Sequence, residues 1–185
     1  MPSSMPVGAP EMAAPPEAAP GGDMTVQGAQ MGLTAAATSK DISWKVPAGW
    51  EEQPPSSMRV GSFLVKGDNG QVADVSVIPL SGDAGGDLAN INRWRDQIQL
   101  DPLSESDLPS HSESISPGGR TMRMVDFPSK DLLLGNKYKK RLIAVIYQQG
   151  SRSWFIKMLG EDATVEAAKP AFLKFLQSLH FNNAS

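Results

Sequence analysis

Two pairs of strand-like segments, the first alternating and the second carrying an apolar run, each closed by a turn too short for a crossover, constrain this chain most. Met58 to Lys66 places Met58, Val60, Ser62 and Leu64 on one face. Gly67-Asp68-Asn69-Gly70 follows, and Val72 to Leu80 then sets Val75, Val77 and Pro79 against Val72, Asp74, Ser76 and Ile78. Period two is the signature of a strand, and Asn and Gly tolerate the positive φ of a hairpin turn. Lys139 to Gln148 and Ser153 to Leu159 repeat the device across Gln149-Gly150-Ser151. Parallel neighbours need a crossover of a dozen residues or more, so these pairs must be antiparallel.

Further elements fill in around the hairpins. Ile42 to Val46 alternates, Pro47-Ala48-Gly49 turns the chain, and Trp50 can fold back on the strand. Arg120 to Phe127 also alternates. After Gly82–Gly86 a helix is predicted from Asp87 as N-cap. Its stripe is Leu88, Ile91, Arg95 and Ile98, with Trp94 at the edge, and Asp101-Pro102 is its stop. Residues 104–118 are rich in Ser, Asp, Glu and Pro and read as a mobile loop, with a short strand at Ser112–Ser116. Val165, Ala168, Phe172, Phe175 and Leu179 recur at helical spacing, and Pro170 predicts a kink or a restart in that helix. The expected fold is α+β: a mainly antiparallel sheet of about six strands with two main helices packed on it.

Residues 1–39 differ in kind. They carry six prolines, no aromatic residue and no base, with Glu11, Glu17 and Asp23 as their acids. Such a segment cannot bury enough surface to offset about 1–2 kcal/mol of backbone entropy per residue. It is expected to be a disordered tail or tether, leaving a single α/β domain at 40–182. A lipidated cysteine upstream would make it a membrane tether. The longest unbroken apolar run, Leu142 to Tyr147, is six residues, far short of the roughly 20 needed to span a bilayer as a helix. Net charge is −3, and the 17 bases beyond residue 39 face 17 acids, so no nucleic-acid partner is expected.

Catalytic chemistry finds few residues. The chain has no cysteine and two histidines, His111 and His180. Ser110, His111 and Glu113 adjoin in a loop, which does not preorganise a triad. No metal-ligand spacing occurs, and neither metal nor cofactor is expected. Enzyme activity stays open, with non-enzymatic binding favoured. Lys137, Lys139, Lys140 and Arg141 form a basic run near Tyr138 and Tyr147, read as a solvated strand edge.

The binding candidates lie at the glycine bend and the helix after it. Asn90, Arg93 and Gln97 share one helix side beside Trp94, offering several donors in a small area. With Gly85 and Gly86 they form the candidate ligand or partner site. The bland alternative makes them a bracing network for the carbonyls of residues 80–86, with Trp94 in the core. The Gly spacing matches neither phosphate-binding fingerprint, and Asp83 and Asp87 would repel an anion. Glycine there would then serve a tight bend and close helix–sheet packing.

Two motifs carry a resemblance. Trp44-Lys45-Val46-Pro47-Ala48-Gly49-Trp50, with Ser57-Met58-Arg59 and Phe63, resembles the opening of an uncharacterised bacterial family. Gly85-Gly86, Asn90, Arg93-Trp94 and Gln97 resemble its central motif, and the likeness covers residues 42 to about 181. Its members often bear export or lipoprotein signals and have no established activity. That implies an extracytoplasmic location, periplasmic or membrane-tethered, with the cytoplasm as the alternative. The Pro-x-Gly-Trp start, Trp154-Phe155-Ile156-Lys157 and the closing Phe172, Phe175-Leu176, Ser178 helix are more loosely similar to the Mog1/PsbP-like fold. That likeness implies an α/β/α sandwich and a non-catalytic assembly role. The expected function is therefore a non-catalytic binding or assembly module, envelope-associated, engaging a protein partner. The alternative is a small-molecule or anion-binding domain, or a weak enzyme, using Gly82–Gly86 and the Asn90, Arg93 and Gln97 helix face.

Overall fold

The computed structural model describes residues 41–182; the expected tail at 1–39 lies outside them. The strands are β1 (Ile42–Ser43), β2 (Trp50–Glu52), β3 (Gly61–Lys66), β4 (Val72–Ser81), β5 (Glu113–Ile115), β6 (Met122–Leu134), β7 (Tyr138–Gln149), β8 (Arg152–Glu161) and β9 (His180–Phe181). The helices are α1 (Asp87–Gln97) and α2 (Asp162–Ser178). Seven strands form one sheet in the order β2-β3-β4-β8-β7-β6-β5, antiparallel throughout. Strands β1 and β9 pair separately. The fold is α+β, with one helix on each face of the sheet.

Alternation sorts the side chains into two cores. Phe63, Val75, Val77, Met124, Ile143, Val145, Trp154, Ile156 and Met158 meet Val165, Phe172, Phe175 and Leu176 of α2. Each of the large α2 residues contributes on the order of 1.5–3 kcal/mol by burial. Trp50 closes this core against Phe175, with ring centroids 5.3 Å apart. On the opposite face Leu80, Val125, Phe127, Leu142, Ala144, Ile146 and Phe155 meet Ile91, Trp94 and Ile98 around α1. The close fit of β4 and β8 requires Gly160, where a Cβ would lie 2.6 Å from the Cα of Ala73.

Several expectations need correction. The first strand is only Ile42–Ser43, and Trp50 opens a strand of its own. Strand β6 runs through Pro128 to Leu134 instead of stopping at Phe127. Pairing with β5 covers only Met122 to Met124, so at Pro128 β6 has β7 alone as neighbour, and a residue without a donor is tolerated. Pro79 in β4 lies likewise past the last pairing with β3, at Val77. Helix α1 ends at Gln97, before Asp101-Pro102, because Gln99 turns left-handed (φ 56°) and the Arg95 carbonyl accepts from Ile98 and Leu100. Its N-cap is Gly86, without a side-chain bond, while Asp87 sits in the first turn and pairs with Arg123 at 2.7 Å. Residues 108–111 and 117–119 form short 3-10 turns, and the strand between them is Glu113–Ile115. Helix α2 runs without a break through Pro170, and Glu161 caps it by accepting from the amides of Ala163 (3.2 Å) and Thr164 (2.8 Å).

The basic run is not a sheet edge either, since β7 lies between β6 and β8. Arg141 turns toward α2 and holds Asp126 through two hydrogen bonds, at 2.7 and 3.1 Å, and Asp162 through one at 3.2 Å. Lys169 of α2 reaches the same Asp126 at 2.8 Å. This network ties β6, β7 and α2 together. Burial pushes the Asp126 carboxyl up, but hydrogen bonds and charge from Arg141 and Lys169 outweigh it and hold the group below its ordinary value. A depressed carboxylate contributes stability above its unfolded value of about 3.9 and loses it as pH falls through the folded value. Asp126→Asn should therefore cost about 1.5–3 kcal/mol at pH 7 and flatten the acid side of a stability–pH curve measured by urea unfolding.

Candidate functional site

The bend before α1 is built from consecutive positive-φ residues: Ala84 (54°), Gly85 (89°) and Gly86 (91°). A Cβ on Gly82, Gly85 or Gly86 would meet nothing within 4 Å, so glycine serves backbone conformation there and not close helix–sheet packing. The bend's own donors are engaged internally. Gly82 N–H donates to the Ser151 carbonyl (2.8 Å), Gly85 N–H to Asp83 Oδ1 (3.1 Å) and Gly86 N–H to the Asp83 carbonyl (3.0 Å). Those amides do not form an open anion cradle.

The four helix residues divide between inside and outside. Asn90 is 1% exposed, and its Nδ2 donates to the carbonyls of Ala84 (3.0 Å) and Gly86 (2.7 Å), stapling the bend to the helix. Trp94 is buried edge-on against Phe155, with centroids 5.0 Å apart. Arg93 and Gln97, one turn apart, lie half-buried on the flank of α1. Arg93 Nη2 donates to Asn90 Oδ1 at 2.7 Å, and Gln97 Oε1 accepts from Lys157 Nζ at 3.2 Å.

The sheet supplies the other half of this site. Ser62, Ser76 and Lys157 stand opposite one another on β3, β4 and β8, on the α1 face. Asp74 and Leu64 belong to the next row on that face, with Leu159 across β8. Arg59 donates to Asp74 Oδ1 (2.8 Å) and Ser62 Oγ (3.3 Å). Two arginines, Arg59 and Arg93, and one carboxylate, Asp74, thus lie within charge range of Lys157. Burial pushes the Lys157 ammonium down to about 8, helped by the charges of Arg59 and Arg93 and opposed by Asp74. Desolvation also lowers Arg93 from its usual value.

Lys157, Arg59, Asp74 and Ser76 were not singled out from sequence. One signal was present: Asp74 and Ser76 interrupt an otherwise apolar face of β4, and Lys157 sits between Phe155 and Leu159 on a face of β8. Their convergence with Arg93 depends on β4 pairing with β8, which are 71 residues apart at the register pair Ser81 and Arg152. Elsewhere, His111 bonds the Asp107 carbonyl (3.0 Å) and His180 the Leu179 carbonyl (3.1 Å). A shallow recess of about 460 Å³ lies at the end of α2, between Trp44, Lys45, Lys174 and His180. It shares no residue with the α1 flank.

No family model matches this chain, and no curated protein sequence matches it. Among solved structures it is similar to LpqN, described as involved in cell envelope biogenesis of Mycobacterium tuberculosis, at TM-score 0.48 and 15% identity over 77% of this chain and 83% of that one. A Bacteroides thetaiotaomicron protein matches at 0.47 and 11%, over 80% of this chain and 47% of its own. Cyanobacterial PsbP from Synechocystis matches at 0.46 and 11%, over 78% and 89%.

Two measurements probe the geometry. Asn90→Ala removes the two hydrogen bonds that the buried Asn90 Nδ2 gives to the Ala84 and Gly86 carbonyls and should cost about 1–3 kcal/mol in urea unfolding. Lys157 is depressed in the fold, so between about 8 and its unfolded 10.5 the unfolded chain binds the extra proton and stability rises with pH. Lys157→Met should remove that rise, seen by comparing unfolding midpoints of the two proteins at pH 7 and 9.5.

Proposed function

We propose that this domain is a non-catalytic binding module of the cell envelope that engages a protein partner through the flank of α1. The observation that carries the reading is the pair Arg93 and Lys157. Each is a half-buried cation whose hydrogen-bond partner is a neutral amide oxygen, of Asn90 and Gln97 respectively. The nearby Asp74 is held by Arg59. Unmatched charge beside a rigid helix suits recognition of an oppositely charged surface, because complementary charge sets register and speeds encounter. Asn90 and Trp94 then act from within: one fixes the bend, the other fixes the helix on the sheet, and together they position Arg93 and Gln97. Gly85 and Gly86 give the bend its backbone shape. The envelope part of the reading rests on the base-free Pro/Ala tail and the two sequence motifs. Among the described residues no helix is long and apolar enough to cross a membrane.

A photo-crosslinker at exposed Asp96, next to the flank, should trap a discrete partner in cells, and Arg93→Ala should abolish that product. The same substitution should change stability by no more than about 0.5–1.5 kcal/mol, the worth of one hydrogen bond. A product unaffected by Arg93→Ala, or a collapse in stability, would refute a recognition role for this flank. Fractionation that finds the native protein solely in the cytosol would remove the envelope assignment.

A further inference from the structure

We infer that the α1 flank is a carboxylate-binding site in which Arg93 and Lys157 together hold one monoanionic carboxylate. This deepens the partner-binding reading and rests on it for the location of the site. Four observations support it. Lys157 Nζ, reaching up from β8, lies 3.2 Å from Gln97 Oε1, one helical turn from Arg93, so the ammonium comes up against the same α1 flank that carries Arg93. Their hydrogen bonds go to neutral amides, and neither forms an ion pair with an acid among the described residues. Asp74, the carboxylate that faces Lys157, is taken by Arg59 at 2.8 Å. Beside Lys157 in the same cross-strand row, the Ser76 hydroxyl is buried and has no hydrogen-bond partner.

The chemistry follows from this donor set. A guanidinium presents a planar fork that matches a carboxylate, and an ammonium adds a point charge. One carboxylate has two oxygens, enough to meet Arg93 and Lys157 together. With Arg59 and Asp74 balancing each other, a single negative charge relieves the repulsion between the remaining two cations. The surroundings favour a monoanion: half-buried Leu64 and Leu159 border the row, and desolvating a dianion costs more than desolvating a monoanion. These leucines also suit an apolar group attached to the carboxylate. The groups facing Lys157 are Arg59 before β3, Asp74 on β4 and Arg93 on α1. Of this set Lys157 is the one that titrates near pH 8, so binding should weaken as pH rises through that value. The carboxylate could belong to the partner's chain or to a free small molecule, which share this chemistry.

The test uses the full chain, N-acetyl-leucine as probe, and its methyl ester and inorganic phosphate as comparisons. N-acetyl-leucine should shift the Arg93 side-chain and Ser76 amide resonances saturably at pH 6.5, as read in NMR titrations. The ester should not. Lys157→Gln and Arg93→Gln should each weaken binding at least tenfold while keeping a cooperative circular dichroism melt; Lys174→Gln on α2 should bind as wild type. An ester that binds equally, phosphate that binds where N-acetyl-leucine does not, or no shift with any probe overturns the inference. If N-acetyl-leucine fails while Arg93→Ala still abolishes the crosslink, the carboxylate assignment falls and the partner reading stands. If it binds while Arg93→Ala leaves the crosslink unchanged, the partner reading falls instead. Excess N-acetyl-leucine that competes away the crosslink assigns the carboxylate to the partner; an unaffected crosslink assigns it to a free small molecule.

Discussion

Burial on both faces of the central strands is the constraint on which the rest of this structure depends. Strands β4, β8 and β7 sit in the middle of the sheet, with α2 on one side and α1 on the other. An antiparallel sheet with one solvated face can carry polar residues at every second position. Here there is no such free position at the centre of β7 and β8: Leu142 to Ile146 and Ser153 to Ile156 are all buried. The chain meets that demand with apolar runs on β7 and β8 and with alternation on β3 and β6. Helix α1 reaches its face by leaving β4 at the Gly82–Gly86 bend, with Asp87 at its start paired to Arg123 of β6 and Gln97 at its end bonded to Lys157 of β8, so the conformation of that bend decides where the helix lands.

Against that background, a lysine and a serine on the inner part of the α1 face stand out physically. Replacing water around a cation is unfavourable unless opposite charge or several acceptors compensate. Arg141 meets the rule, with Asp126 and Asp162 as partners on the α2 face. Lys157 has Gln97 as its hydrogen-bond partner, with two arginines and the Arg59-bound Asp74 near it. The two basic centres therefore differ in kind. One is a closed network that joins strands to a helix, and the other holds positive charge in excess at the edge of α1. That difference marks the first as structural and motivates the recognition role proposed for the second.

Much of the fold was legible because it is written in local periodicity. The hairpins at 67–70 and 149–151, the stripe of Val165 to Phe175 and the start of α1 were visible as patterns of two or of 3.6. What failed did so for identifiable reasons. The alternation read from Arg120 ends at Phe127, yet the strand continues through Pro128, because a neighbour on one side only makes proline acceptable there. Asp101-Pro102 reads as a helix stop, yet Gln99 in a left-handed conformation stops it sooner. Lys139 to Arg141 read as an edge, since a single sequence does not reveal which strands will flank it.

The candidate site was half visible. The sequence by itself determined that Asn90, Arg93 and Gln97 lie along one helix side after a glycine bend, since 3.6 residues per turn and the freedom of glycine are local properties. It also determined antiparallel pairing within each hairpin, since a short turn permits nothing else. Only the tertiary structure decided that Asn90 turns inward to the bend while Arg93 and Gln97 stay at the flank. It alone brought Lys157, Arg59, Asp74 and Ser76 beside them. The reason is that β4 and β8, far apart in the chain, become neighbours through the burial of both sheet faces, and no local preference of either strand specifies that contact.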